Sequence, residues 1–345
     1  MRLDTHVHLL ALDSPGFHFS KRYRKSLIIS LLRRRLGLQK VADSELLQAY
    51  LAQLLAQLEA SPAIDAVVLL ALDFRYDQQG RPDLEQTPFA VSNDAVFDAC
   101  AQDSRLLPGA SLNPQRADAL DALEELAERG SVLIKTLPNV QDFDPAEPRY
   151  RPIWRRMAEL SLPMLCHTGR EHTIPSTKQS YGDPSRWIPA LEEGLTVIAA
   201  HAGTSGPVPG HETFYEFLGM MKRFPRLYGD LSALTNLSRA SYLPKLLKQP
   251  ELFERMLYGS DYPVPSSPLR FWPRLPLSTV RRIGREGSLL STASMLFDAL
   301  GVPDSIYTRA SELLRLGPRE LLRAIPGTHP SGLLRSESSP PGYDF

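Results

Sequence analysis

The chain has 345 residues, enough for one large domain or two ordinary ones. Its 39 Lys and Arg balance 39 Asp and Glu, which argues against a nucleic-acid protein held by bulk charge; 43% hydrophobic and 23% charged residues exclude wholesale disorder. Two cysteines, Cys100 and Cys166, cannot build a disulfide framework, so a reducing, cytoplasmic setting is expected. No apolar run approaches the roughly 20 residues that span a bilayer. Arg2, Asp4, His6 and His8 crowd the first eight positions, so no signal peptide is expected. Thirty prolines predict many stiff connections.

Taken in chain order, short β-type runs alternate with helical stretches. Arg2–Leu9 is the first strand. The segment Phe17–Lys40 follows, with Lys21, Arg22, Arg24, Lys25, Arg33, Arg34, Arg35 and Lys40 and no acidic residue. It reads as a solvated helix or lid, with Leu27, Ile28, Leu31 and Leu32 packed on the body. The alternative is a positive collar that draws an anionic substrate inward. Glu45–Ala60 predicts a helix, because Leu46, Leu47, Tyr50, Leu51, Leu54, Leu55 and Leu58 form a stripe of period 3.6. Strands are predicted at Ile64–Leu72 and Leu106–Leu112, then a helix at Ala117–Arg129 stopped by Gly130. Strand Val132–Leu137, helix Tyr150–Leu160, and strands Leu162–His167 and Leu195–His201 come next. Helix His211–Arg223, strand Leu227–Leu231, helix Arg239–Lys248 and strand Met256–Ser260 follow. A Pro-rich stretch from Pro263 to Pro276 and two or three packing helices, one at Ser291–Leu300, complete the pattern.

Most of the strands are continuous apolar runs, as strands buried on both faces should be. Eight of them alternating with helices predict a (β/α)8 TIM barrel, with an open doubly wound sheet as the rival. One barrel domain is expected over residues 1–325, with an N-terminal lid insertion at 17–60, a C-terminal helical extension and a flexible tail at 326–345. There is no internal repeat and no glycine-rich phosphate loop.

Reactive groups of such a barrel collect at the C-terminal ends of its strands. The first strand delivers His6 and His8, the fourth Lys135, the fifth His167, the sixth His201 and the eighth Asp261. His6 and His8 are two apart on a strand, so both imidazoles point to one side. Three imidazoles, the third from His167, and the oxygen of Asp261 suit a divalent ion such as zinc with a further position open. Asp230, ending the seventh strand, is a candidate to orient a ligand histidine or simply to bond backbone.

The order His-x-His, His, His, Asp on strands one, five, six and eight resembles the amidohydrolase superfamily. Asp4-Thr5-His6-Val7-His8, Val197-Ile198-Ala199-Ala200-His201-Ala202-Gly203 and Leu257-Tyr258-Gly259-Ser260-Asp261-Tyr262-Pro263 most resemble its amidohydrolase-related (amidohydrolase 2) branch of metal-dependent hydrolases. That branch also includes decarboxylases similar to aminocarboxymuconate-semialdehyde decarboxylase. The likeness runs from residue 1 to about 316. It implies His6, His8, His167 and Asp261 as metal ligands, with His201 beside the ion as a catalytic partner of Asp261. It implies a hydrolase of an amide, ester or lactone that uses a water activated by the ion; the alternative is non-oxidative decarboxylation of an unsaturated or aromatic acid. One divalent ion, zinc by preference, is expected. Lys135 either binds substrate or, carbamylated, bridges a second ion. Arg170 and Glu171 are further substrate-binding candidates; Glu171 lies four rather than three positions after His167, so the deaminase acid of the superfamily is not transferred to it. The expected partners are a small-molecule substrate and a second copy in a homodimer, with no nucleic acid and no stable membrane association.

Overall fold

The computed structural model describes residues 1–176, 178–206 and 212–316. The expected tail and His211 lie outside the described residues. Among the described residues ten strands run in chain order: β1 (Leu3–His8), β2 (Phe17–Phe19), β3 (Ala66–Leu70), β4 (Phe89–Val91), β5 (Leu106–Ser111), β6 (Leu133–Thr136), β7 (Met164–Cys166), β8 (Val197–Ala199), β9 (Leu227–Asp230) and β10 (Met256–Leu257). Eight form one parallel sheet in the order β1-β3-β5-β6-β7-β8-β9-β10, and β2 and β4 pair separately as a small antiparallel ribbon.

The sheet closes at the seam between β1 and the residues that continue β10. Thr5 N donates to Tyr258 O at 3.1 Å, Asp261 N to His6 O at 3.0 Å, and His8 N to Tyr262 O at 2.8 Å. The seam excludes the open doubly wound alternative. The fold is a TIM barrel.

Residue parity divides the barrel into two apolar layers. Ala66, Val68 and Leu70 of β3 join an inner cluster with Leu3, Leu133, Leu165, Ile198 and Leu257; Val67 and Leu69 join the outer cluster beneath the helices. Ala310 and Leu314, from the helix Ser305–Leu313 and its C-terminal end, belong to the inner cluster and plug the N-terminal end of the barrel. The same parity aims Lys135 (after Leu133) and His167 (after Leu165) inward at the opposite end.

On β1 the parity changes partway. Asp4 pairs with Val67 and Val7 with Leu69, so three steps on β1 match two on β3. This one-residue bulge turns Val7 to the outer layer and His6 and His8 to the interior. The side chain of Asp4 holds the bulge: its Oδ1 accepts from His6 N at 3.1 Å and from Ser260 N, across the seam, at 2.9 Å. A second departure occurs after β8. Ile198 and Ala200 face inward, so strict alternation would send His201 outward; instead His201 and Ala202 adopt φ of 60° and 50°, and His201 lines the barrel mouth.

The segment after β1 forms the ribbon strand β2 and two helices, Lys21–Arg24 and Leu27–Arg35, over that mouth. Tyr23 and Ile29 are buried, whereas Leu27 and Leu31, expected to pack inward, are 80% and 65% exposed. Arg24 and Arg33 pair with Asp43, and Arg33 also donates to Val41 O, so these two charges strap the segment together. The helix predicted at Arg239–Lys248 is α-helical only at Leu243–Leu246. There the Asn236 carboxamide accepts from Ser238 N and Arg239 N and holds the chain in a turn. Helix Asn93–Cys100, capped by Ser92, was not anticipated; eight residues carry too little periodicity. Among the described residues three helices follow the Pro-rich stretch, at Leu277–Gly284, Leu289–Ala299 and Ser305–Leu313.

Asp4→Ala would leave two buried N–H groups without their acceptor, each costing about 1–3 kcal/mol. The expected outcome is a lower urea midpoint with the far-ultraviolet circular dichroism of the folded protein retained; an unchanged midpoint would show that the bulge holds itself without this carboxylate.

Candidate metal centre

His6, His8 and Asp261 each bring a ligand atom into a group whose members lie within 4.8 Å of one another. Asp261 Oδ1 is 3.2 Å from His8 Nε2 and 3.5 Å from His6 Nε2. Asp261 reaches this place with a φ of 63°, a left-handed conformation rarely taken by residues other than glycine. His167 lies outside that tight group. Its ring packs edge-on to His201 at 5.0 Å, and His201 lies 5.3 Å from the ring of His6, so the four imidazoles form one continuous surface.

Asp230 organises the floor. Its Oδ2 sits 2.7 Å from His6 Nδ1, and its Oδ1 accepts from His201 N at 2.8 Å, Ser232 N at 3.0 Å and the Ser232 hydroxyl. A proton on His6 Nδ1 shared with this carboxylate leaves Nε2 as a bare lone pair on the Asp261 side. His201 Nδ1 contacts Ser232 O at 3.2 Å and Ser232 Oγ at 2.8 Å. Donation from Nδ1 to the carbonyl likewise leaves Nε2 as an acceptor. Lys135 Nζ stands 3.3 Å from His6 Nε2 and is fully enclosed.

The charges follow from this packing. Burial, reinforced by Arg239 and Lys135, holds the His167 and His201 imidazoles well below the ordinary histidine range. Burial and the Lys135 charge lower His6 against the opposing pull of Asp230. Burial also lowers Lys135. For Asp261 and Asp230 burial pushes upward, but the histidine contacts and Lys135 outweigh it and both remain below the usual carboxyl range. The result is neutral imidazoles at His6, His167 and His201 facing ionised carboxylates, the state in which both kinds of group bind a cation.

The residues fit a divalent ion. The buried Nε2 of His167 has no hydrogen-bond partner, an unmet lone pair that a cation would satisfy. The donor set is nitrogen and oxygen only, and both cysteines are otherwise placed. Burial pushes the Cys100 thiol up to about 12 and Cys166 also upward, so neither is poised as a nucleophile.

Of the other expected residues, Glu171 lines the cavity above the floor, with Oε2 3.6 Å from His167 Nε2. Arg170 is not among the cavity's lining residues; its carbonyl accepts from Arg239 Nη2 at 3.0 Å. Arg239 itself, buried and also bonded to Thr204, is the arginine of this region that the sequence pattern did not single out. Tyr23, Ile29 and Leu32 from the covering helices line the cavity too.

The family model described as Amidohydrolase matches residues 3–278. The chain belongs to the amidohydrolase family. The chain is therefore an enzyme of a metal-dependent family, and the group of His6, His8 and Asp261 is the candidate site in it. Solved structures similar to this chain in fold include the following three. An uncharacterized TIM-barrel protein from Bordetella bronchiseptica is 18% identical, with a TM-score of 0.59 over 94% of this chain and 99% of that one. A 2,6-dihydroxybenzoate decarboxylase from Rhizobium is 16% identical, with a TM-score of 0.53 over 91% and 98%. A dihydroxybenzoic acid decarboxylase from Polaromonas sp. JS666, with bound manganese and the inhibitor 2-nitroresorcinol, is 13% identical, with a TM-score of 0.56 over 93% and 98%. None of the curated proteins matches this chain. Among the described residues no helix is long and apolar enough to cross a membrane.

Asp230→Asn should leave the barrel folded but weaken retention of a divalent ion by about 10- to 100-fold, because the orienting acceptor of His6 is lost. Competition with a chromophoric chelator measures this; equal retention would separate Asp230 from the ion. With thiol reagent at pH 8 the folded protein should react negligibly at Cys166, which should react once it is denatured. Rapid labelling of Cys166 in the native state would contradict its burial.

Proposed function

We propose that this protein is a metal-dependent, non-oxidative decarboxylase of a small unsaturated or aromatic carboxylic acid. The observation that carries the reading is the cavity above His6, His8, His167, His201 and Asp261. It has a volume of about 140 Å³ and is walled by Leu9, Leu10, Phe19, Phe89, Leu137, Ile174 and Val264. A cavity of about 150 Å³ lined by apolar side chains holds one benzene molecule. Space on that scale, roofed by the covering helices, favours a single compact acid over the two-part amide or ester of a typical hydrolysis. Two of the similar barrels are decarboxylases, which supports it.

In this reading His6, His8, His167 and Asp261 hold one divalent ion, zinc or manganese. The ion supplies Lewis acidity, drawing electron density from a substrate oxygen. Lys135 gives the floor a fixed positive charge that favours a carboxylate. The neutral Nε2 of His201 accepts a hydrogen bond and sets the substrate's angle. The apolar walls keep water from the carboxylate, which weakens its solvation in the ground state. Asp261, ionised in the resting site, takes a proton from water and relays it to the ring or vinyl carbon as the carbon–carboxylate bond breaks. The electron pair of that bond becomes the new C–H bond, and carbon dioxide leaves. Lys135 is dry and enclosed, as a carbamylated bridge would require, but the donors of the tight group serve one ion and one ion is the proposal. The residues at 17–60 act as the lid of a single catalytic barrel that works as a homodimer in the cytoplasm.

Hydrolysis of a compact amide, ester or lactone is the second reading. It is favoured by the place of Asp261 Oδ1 beside both His6 Nε2 and His8 Nε2, where it can take a proton from a water.

The two readings separate in one assay. Against a panel of small unsaturated and aromatic acids, the metal-loaded protein should release carbon dioxide and incorporate no oxygen-18 from water; oxygen-18 in the product with no carbon dioxide would establish hydrolysis instead. Asp261→Asn should lower turnover by several orders of magnitude, and the double variant His6→Ala, His8→Ala should retain no ion by elemental analysis. A double variant purified with a full complement would remove those residues from the site.

A further inference from the structure

Glu171 stands in the cavity as a carboxylate with one oxygen committed and one free. Its Oε1 accepts from Thr173 N and, at 3.0 Å, from Ile174 N. Its backbone is clamped on both sides by Gln179, whose Oε1 accepts from Glu171 N at 2.9 Å and whose Nε2 donates to Glu171 O at 2.8 Å. The side chain is only 10% exposed, and Oε2 is left on the cavity side, 3.6 Å from His167 Nε2. Glu171 is not a member of the tight group of His6, His8 and Asp261. Across the same cavity the covering helix presents Tyr23, which is 8% exposed and stacks its ring on Phe19. Burial, then the Glu171 charge, pushes this phenol well above its ordinary range, so it keeps its proton and remains a donor and acceptor.

We infer that Glu171 and Tyr23 are specificity-determining residues: they select a substrate that carries a neutral hydrogen-bond donor, a hydroxyl or amino group, apart from its reacting carboxylate, and they reject a second carboxylate. The physical basis is an immobilised anion in a small apolar space. A donor group on the substrate satisfies the free Oε2 at no cost in ordering the protein, because the loop is already fixed. A second substrate carboxylate would face like charge without water to screen it, and its desolvation would go uncompensated. The selection opposes the attraction that Lys135 offers the first carboxylate, so each end of the substrate is read by a charge of opposite sign. The inference rests on the proposal that this cavity is the substrate site.

The test is calorimetric binding to the metal-loaded, full-length protein. The probes are the three isomers of aminobenzoate and the three isomers of benzenedicarboxylate. The wild type should bind its best aminobenzoate at least tenfold more tightly than its best dicarboxylate. Glu171→Gln should shrink that ratio at least fivefold, chiefly by admitting the dicarboxylate, while Glu171→Asp keeps the rejection. Tyr23→Phe should weaken the aminobenzoate severalfold and leave the dicarboxylate unchanged. Melting temperature and metal content are measured on each variant. The inference is overturned if no probe binds, if the ratio is the same in wild type and Glu171→Gln, or if Glu171→Gln loses its ion, which would make Glu171 a servant of the metal rather than of the substrate. Selective binding without release of carbon dioxide from any probe would count against decarboxylation of these acids and leave the selectivity standing.

Discussion

The bulge between Asp4 and Val7 is the constraint on which the rest of the site depends. A strand has two faces, and a single inserted residue exchanges them. Without the extra step, continuing from Leu3 in the interior, His6 and His8 would turn with Asp4 toward the helices. With it they enter the barrel. The bulge lies beside the seam, so the strand that carries the two imidazoles also receives the backbone of Asp261. Closure of the sheet and assembly of the site are thus one event, and residues more than 250 positions apart are set by hydrogen bonds between adjacent backbones.

Asp230 performs the second task, fixing which nitrogen of each ring carries a proton. A buried carboxylate is costly unless its lone pairs are used, and this one accepts from a ring, two backbone amides and a hydroxyl. The same contacts fix the ring of His6 and the backbone of His201, and Ser232 relays the constraint to the His201 ring. The positive φ of His201 and Asp261 places two strained residues at the centre of the site, where surrounding hydrogen bonds and the seam over-determine them.

All eight barrel strands were legible because buried parallel strands write themselves as apolar runs, and the reactive residues stood at their ends. Runs such as Leu195–His201 nevertheless overstate the strands: β8 stops at Ala199, and His201 belongs to the turn that follows. The sequence could place His6 and His8 on one face but could not say which, because the bulge depends on register with β3 and leaves no mark in the local pattern. Arg239 was read only as the start of a helix; its function comes from reaching Thr204 and Arg170, contacts far away in sequence. The ribbon of β2 and β4 was hidden for the same reason, since three-residue strands pair across 70 positions. The basic segment was read by its charge, yet its contribution to the cavity is apolar, through Tyr23, Ile29 and Leu32, while Arg24 and Arg33 are spent on Asp43.

Belonging to the amidohydrolase family sets the chemistry in general terms; the small apolar chamber, the enclosed Lys135 and the fixed Glu171 give this member its character. The central claim is that one divalent ion is held by imidazole nitrogen and carboxylate oxygen at the seam. X-ray absorption spectroscopy at the metal edge, on protein purified without chelator, tests it most directly. The account predicts close to one ion per chain with only nitrogen and oxygen neighbours at about 2.0–2.2 Å, the range of zinc–imidazole and metal–carboxylate bonds. A chain without bound metal, or an ion with a sulfur neighbour, would contradict it.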